Sequence, residues 1–256
     1  MKVLLDTCVW GGAKDTLVAA GHDVVRTGDR AEDPGDEEIL AEAHRDERVL
    51  VTLTNHTARN MSQPSFPSWR DAFLDVVQQP TTAAPLKAAS LAEDLRAWTA
   101  CLTSAVVASC RQIGWLAAAK GHRLSELPQA GQEYLGIDVM AFSAEPGPGR
   151  WRFPIAVFEL ENHRTDDRVA YSLWKVLCVR APLRVVFAFR RDWEASRRSV
   201  NAICEDVIGS LSVTERAALS GETMLVIGNR GDGETFPWGY FKFWMLDPNV
   251  GRFDKV

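Results

Sequence analysis

The chain predicts an α/β fold built around a mixed sheet, and three observations carry that prediction. Short apolar runs of strand length, such as KVLL at 2–5, RVLVTLT at 48–54 and LRVVFAFR at 183–190, alternate with longer stretches of helical period. The first three runs, at 2–5, 22–25 and 48–54, are separated by helix-length segments, the arrangement of a parallel βαβ unit. Further on, the runs at 135–144 and 151–161 flank the turn sequence EPGPG at 145–149, which predicts an antiparallel pair and so makes the sheet mixed.

The elements follow in order. Residues 2–5 form a short buried strand ending at Asp6. After Gly11 and Gly12 a helix is expected over 13–20, Gly21 stops it, and HDVV at 22–25 forms the next strand. Pro34 and Gly35 then break the chain, Asp36 caps a helix, and Glu37 and Glu38 occupy its first turn, where the helix dipole favours acids. Ile39, Leu40 and Ala43 supply its apolar face. From 55 to 85 four prolines and many Ser, Thr and Gln residues, interrupted only by WRDAFLDVV, predict an irregular connection. Leu91, Leu95, Trp98, Leu102, Val106, Ile113 and Leu116 keep helical spacing and predict one long helix over 91–120, stopped by Gly121. The remaining expectations are a helix over 167–178, a strand at 183–190, a helix over 193–209, a strand at 223–229 and an aromatic strand within 238–246. The domain division expected is 1–54, a connection at 55–85, and a main domain at 86–256.

Composition narrows the class. A chain of 256 residues with 46% hydrophobic and 25% charged residues is long enough to bury a sizeable core and is not disordered. The opening MKVLLDTCVW has only a short apolar run before an Asp, and no segment reaches 18 uninterrupted apolar residues, so neither a signal peptide nor a membrane span is expected, and the address expected is cytoplasmic. Five cysteines, none two residues from another, predict reduced thiols in place of a disulfide framework or a thiolate zinc site. The net charge of −5 is uneven: residues 1–55 carry 6 Lys or Arg against 12 Asp or Glu, and the remainder 23 against 22.

The chemistry-bearing pattern is GID at 136–138 with FELEN at 158–162. Glu159 and Glu161 are two apart and leave the same face of a strand, and if the two strands pair, Asp138 and Glu159 approach across the sheet. Mg²⁺ takes oxygen ligands and commonly uses one or two protein carboxylates. This arrangement resembles the restriction-endonuclease-like, or PD-(D/E)XK, superfamily over about 86–246. The resemblance implies a metal-dependent nuclease acting on DNA or RNA with Mg²⁺ or Mn²⁺, in which Asp138 is the family Asp, Glu159 the family Glu, and Glu93 or Glu133 an acid contributed before the hairpin. Glu161 stands where the family has Lys. Lys175, in YSLWKVL, is the relocated lysine on the following helix, and Glu161 is either a further metal ligand or the partner that holds Lys175. His163 is expected at a solvent-facing rim, because its neighbours are oxygen-rich and offer no tetrahedral zinc set.

Between 180 and 198, Arg180, Arg184, Arg190, Arg191, Arg197 and Arg198 face only Asp192 and Glu194, and this local excess is the candidate phosphate-binding surface. Trp98, Trp115 and Trp174 fall in helical patterns and are expected in the core, whereas Trp151, Trp238 and Trp244 flank strands.

The first segment carries a second resemblance. MKVLLD at 1–6, GHDVV at 21–25, DEEIL at 36–40 and RVLVT at 48–52 are similar to the PIN-like domains of the type called DUF5615. That resemblance implies metal ligands at Asp6 and at Asp36 or Glu37. Thr54 and His56 stand where that family continues with acids, so the segment is expected to be a partial PIN-like βαβ unit. Two functions follow: a metal-dependent nuclease working through Asp138, Glu159 and Lys175, or a catalytically inactive, nuclease-derived interaction or nucleic-acid-binding protein.

Overall fold

The computed structural model describes residues 1–6, 9, 12–30, 35–51, 66–128, 133–145 and 151–256. The chain divides into two units, 1–62 and 63–256.

The first unit is a three-stranded parallel sheet. Strands β1 (Lys2–Leu5), β2 (Asp23–Arg26) and β3 (Val49–Val51) lie in the order β2-β1-β3, joined through helices α1 (Gly12–Ala19) and α2 (Asp36–Arg45). Alternation along β1 sorts its two faces: Val3 and Leu5 pack with Val9, while Leu4 packs with Ile39 and Ala43 of α2. The expected βαβ pattern is therefore present. Thr54 and His56 lie outside the described residues, as does the side chain of Asp36.

The second unit is a mixed α/β structure around a seven-stranded sheet of order β10-β9-β8-β7-β6-β5-β4. Its strands are β4 (Trp115–Ala119), β5 (Val139–Ser143), β6 (Ala156–Leu160), β7 (Leu183–Arg190), β8 (Glu222–Asn229), β9 (Phe241–Asp247) and β10 (Arg252–Lys255). The central β6-β7-β8 ladder is parallel and the flanking pairs are antiparallel. Helices α3 (Phe66–Gln78), α4 (Pro80–Leu91) and α5 (Leu95–Gln112) supply one core with the sheet, and α6 (Asp166–Leu177) and α7 (Trp193–Ile203) supply another. A π-helical turn (Cys204–Ile208) and the short α8 (Val213–Ala217) follow α7.

Two expectations are corrected. Of the connection expected at 55–85, residues 55–65 lie outside the described residues, and 66–78 and 80–85 are helical, not irregular: α3 places Phe66, Trp69, Phe73, Val76 and Val77 on one buried stripe. Its Pro67 falls in the first turn, where a missing N–H costs no helical bond, and Pro80 opens α4 in the same way. Trp69 packs against Phe73 and Phe158 at 5.3 and 5.0 Å between ring centroids, and its indole N–H donates to Ser109 Oγ at 3.1 Å. Truncating it to Ala would cost about 3–5 kcal/mol. Second, the helix expected over 91–120 is broken twice. Glu93 takes φ +52°, Asp94 caps α5 by accepting from the N–H groups of Arg96 and Ala97, and Gly114 at φ +78° turns the chain into β4.

The tryptophans divide differently from expectation. Trp98 is buried as predicted, Trp115 is half-buried on a strand, Trp174 is exposed, and Trp244, expected near a strand flank, is buried. Among the described residues no helix is long and apolar enough to cross a membrane.

Candidate active site

The β5-β6 pairing sets the geometry. Its register places Val139 opposite Phe158 and Met140 opposite Val157, so continuing it by one step puts Asp138 opposite Glu159. Alternation then fixes the face. Met140 and Val157 belong to the core beneath α6, and Asp138 and Glu159, each two residues away, fall on the same face. At Asp138 the strand leaves the ladder and side chains take over the pairing. Asp138 Oδ2 accepts from the Leu160 N–H at 2.7 Å, while the Asp138 N–H makes a longer contact of 3.4 Å to Glu159 Oε1.

Lys175 reaches this pair from the last turn of α6. Val169, Leu173 and Val176 cover the sheet, and Lys175 sends its Nζ to 2.7 Å from Glu159 Oε2. The same ammonium donates to Gly136 O at 2.8 Å. That carbonyl is presented by a tight turn in which Leu135 and Gly136 are both left-handed, with φ of +56° and +64°, and the Ile137 N–H closes it onto Tyr134 O at 3.0 Å. The strand expected over 135–144 therefore begins only at Val139, and the Leu-Gly pair before a buried Ile is the signal of this turn in the sequence.

Glu159 is 4% exposed. Burial pushes its carboxyl up to about 7, the hydrogen bond from Lys175 pulls against that rise, and the neighbouring Asp138 charge adds to it. Asp138 is also raised, first by burial, with Leu160 N–H opposing and the charges of Glu133 and Glu161 reinforcing. The site is thus a desolvated acid pair holding one ammonium, with two further acids close enough to be felt.

The other expected residues are placed as follows. Glu161 does not hold Lys175: its Oε1 accepts from the His163 N–H at 2.7 Å, closing a turn directly after β6. His163 is exposed and pairs Nδ1 with Thr165 Oγ1. Glu93, in the turn between α4 and α5, lies 3.5 Å from Arg164 and does not complete a metal set with Asp138 and Glu159, because among the described residues no group of three or more His, Cys, Asp or Glu side chains is placed to hold a metal. Glu133 is exposed and contributes to the site through its charge.

The arginine surface shrinks from six to four. Arg184 is buried and donates to Val179 O and Ser220 O, and Arg190 is buried against Ser199 Oγ, Phe189 O and Asp166 Oδ1. Both close the protein's own structure. Arg180, Arg191, Arg197 and Arg198 are exposed; Arg198 pairs with Glu194, and Arg180 lies over the Phe153 ring.

Do these residues suit a divalent cation? Two carboxylates with raised pKa values on one face, one already drawing a cation to 2.7 Å, form an oxygen-only donor pair whose mutual repulsion a hard dication relieves. As an oxygen-only pair, Asp138 and Glu159 are of the donor type that Mg²⁺ or Mn²⁺ takes, and they are the residues that would hold it. No protein-family model, no curated protein and no solved structure matches the chain.

Proposed function

We propose that the second unit hydrolyses nucleic-acid phosphodiester bonds with a divalent cation, as a divergent restriction-endonuclease-like domain. The observation that supports this reading is the convergence of Asp138, Glu159 and Lys175, which come from two paired strands and a helix, on one desolvated point. Asp138 and Glu159 would hold Mg²⁺ or Mn²⁺. When bound, the cation supplies charge neutralisation at a phosphate oxygen and lowers the pKa of a coordinated water.

The chain's own groups do the rest. Without the cation the Glu159 carboxyl is raised to about 7, so it would take up the cation as its proton leaves. Lys175 exchanges its bond with Glu159 for one with a phosphate oxygen and there stabilises developing negative charge. Gly136 O keeps the ammonium in place during that exchange. The exposed Arg180, Arg191, Arg197 and Arg198 offer nonspecific phosphate contacts.

A second reading, a nuclease-derived protein that binds without cutting, is favoured by one observation: Lys175 is already engaged by two acceptors, so the acid pair is neutralised from within. One experiment separates them. Calorimetric titration with Mn²⁺ and Mg²⁺ is followed by cleavage assays on labelled single- and double-stranded DNA and RNA, using wild-type protein, Asp138→Asn and Lys175→Met. Hydrolysis predicts Mn²⁺ binding that Asp138→Asn weakens, cleavage that both variants lose, and binding that Lys175→Met largely keeps. Nucleic-acid binding with neither Mn²⁺ uptake nor cleavage establishes the second reading.

A further inference from the structure

A groove of ≈ 390 Å³ opens between the outer face of α6 and the segment 206–211 that follows α7. Tyr171 and Trp174, three residues apart on α6, line it, and they are 55% and 52% exposed. Their rings stand 6.0 Å apart between centroids and are tilted by 32°, so two aromatic surfaces border one space. Each wall also brings one acid: Asp167 from the first turn of α6 and Asp206 from the π-helical turn. None of the lining residues is cationic, and among the described residues no ion pair involves Asp167 or Asp206.

Each part of this composition selects the same ligand. Exposed aromatic faces attract a cation through their quadrupoles, most strongly indole, and a planar guanidinium stacks on them while keeping its N–H edge available. Carboxylates beside the rings accept that forked edge. Phosphate is disfavoured, since two acids with no neighbouring lining cation repel it, and a purely apolar helix would leave both acids desolvated without a partner. We infer that this groove binds an arginine side chain of a basic polypeptide segment. It stands apart from the hydrolytic reading, because Asp138, Glu159 and Lys175 are not among its lining residues.

The test uses fluorescence anisotropy of a labelled, end-capped peptide carrying two arginines, with its citrulline counterpart as a neutral twin of the same shape and a labelled single-stranded oligonucleotide as the anionic competitor class. Wild-type protein should bind the arginine peptide about tenfold more tightly than the citrulline peptide. Trp174→Ala should weaken arginine-peptide binding about tenfold, Asp206→Asn should weaken it several-fold, and Trp174→Phe should retain most of it. If Trp174→Ala proves unfolded by circular dichroism, Asp206→Asn and Trp174→Phe carry the same comparison. Equal binding of both peptides overturns the inference, as does binding unchanged in folded Asp206→Asn. Oligonucleotide binding that Trp174→Ala abolishes, or a dimer of the wild-type chain that the same substitution splits, assigns the groove to another occupant and rejects it equally.

Discussion

Asp29 and Glu42 of the first unit and Asp138 and Glu159 of the second are pushed in opposite directions by their surroundings. In the first unit, hydrogen bonds from Lys14 and Arg26 hold Asp29 below the usual carboxylate range, and a hydrogen bond from Arg30 does the same for Glu42. Asp23 also lies 3.0 Å from Arg48. In the second unit, burial raises Asp138 and Glu159 despite the bonds that each receives. A lowered acid is stabilised as an anion by partners already in place. A raised one lacks sufficient positive charge and gains from a further cation. The contrast is between individual acids and not between whole units, since Asp166 of the second unit is also lowered, its burial outweighed by hydrogen bonds from Ser199 and Arg190.

The largest effect should come from testing that contrast directly. On the proposed hydrolytic reading, Asp138→Asn and Glu159→Gln should each lower Mn²⁺-dependent cleavage by on the order of 10²–10³-fold, whereas Asp29→Asn and Glu42→Gln should leave it within about twofold. Steady-state cleavage of a labelled duplex measures all four. A loss from Glu42→Gln matching that from Asp138→Asn would place the chemistry in the wrong unit.

The features that were legible in the sequence share a cause. The parallel order of β1, β2 and β3 and the opposition of Asp138 to Glu159 both follow from local apolar period and from which segments separate the strands. Lys175 was readable because the helical period of α6 is unambiguous. Where the reading failed, tertiary context prevailed. Prolines at the starts of α3 and α4 read as breakers although a first turn tolerates them. The Ala-rich WLAAA reads as helix but pairs with β5 at the sheet edge, and its burial supplies what its propensity lacks. The break at Glu93 and Asp94 was hidden because apolar spacing resumes in phase beyond it. Arg184 and Arg190 looked available to phosphate because the carbonyls and Asp166 that claim them come from elsewhere in the chain.

The next effect is the pH dependence of the second unit. Glu159 titrates in the fold near 7 against an ordinary value of 4.5. A raised folded value means that the fold holds the proton more tightly than the unfolded chain. Its contribution to stability is therefore complete below about 4.5 and is lost as pH rises through 7, on the order of 3 kcal/mol without added cation. Thermal melts from pH 4 to 8 should show this slope for wild-type protein and lose it in Glu159→Gln. Mn²⁺ affinity should run the other way, rising with pH to about 7 and then levelling, because proton and cation compete for one carboxylate. An affinity flat across that window would break the coupling between the acid pair and the cation.

Lys175→Met should be milder. It leaves the Glu159 carboxylate without its ammonium, and at pH 8 this should cost about 2 kcal/mol, less than the roughly 3–5 of a fully buried pair because Lys175 retains solvent contact. At pH 5 Glu159 is protonated and needs no partner, so the loss should nearly vanish. Urea denaturation at the two pH values reads the difference. A cost that stays equal at both would mean that the stem of Lys175 stabilises by packing, not by charge.

The smallest expected effect lies in the first unit and sharpens the comparison from its other side. The Arg30 guanidinium lies 2.5 Å from Glu42, but its side chain is 34% exposed, so solvent screens the pair and Glu42→Gln should cost less than about 1 kcal/mol. The sign is opposite to that of Glu159. A folded pKa held below 4.5 means that the unfolded chain binds the proton more tightly. The stabilisation is thus fully present above about 4.5 and disappears as pH falls through the lower folded value. Hydrogen exchange over α2 reports local opening without requiring the whole chain to unfold. Wild-type protein and Glu42→Gln should exchange α2 amides at rates differing by less than about fivefold at pH 7, and the gap should close toward pH 3. A gap that widens on acidification would mean that Glu42 is a raised acid like Glu159, and the distinction between the two sets of acids would fail.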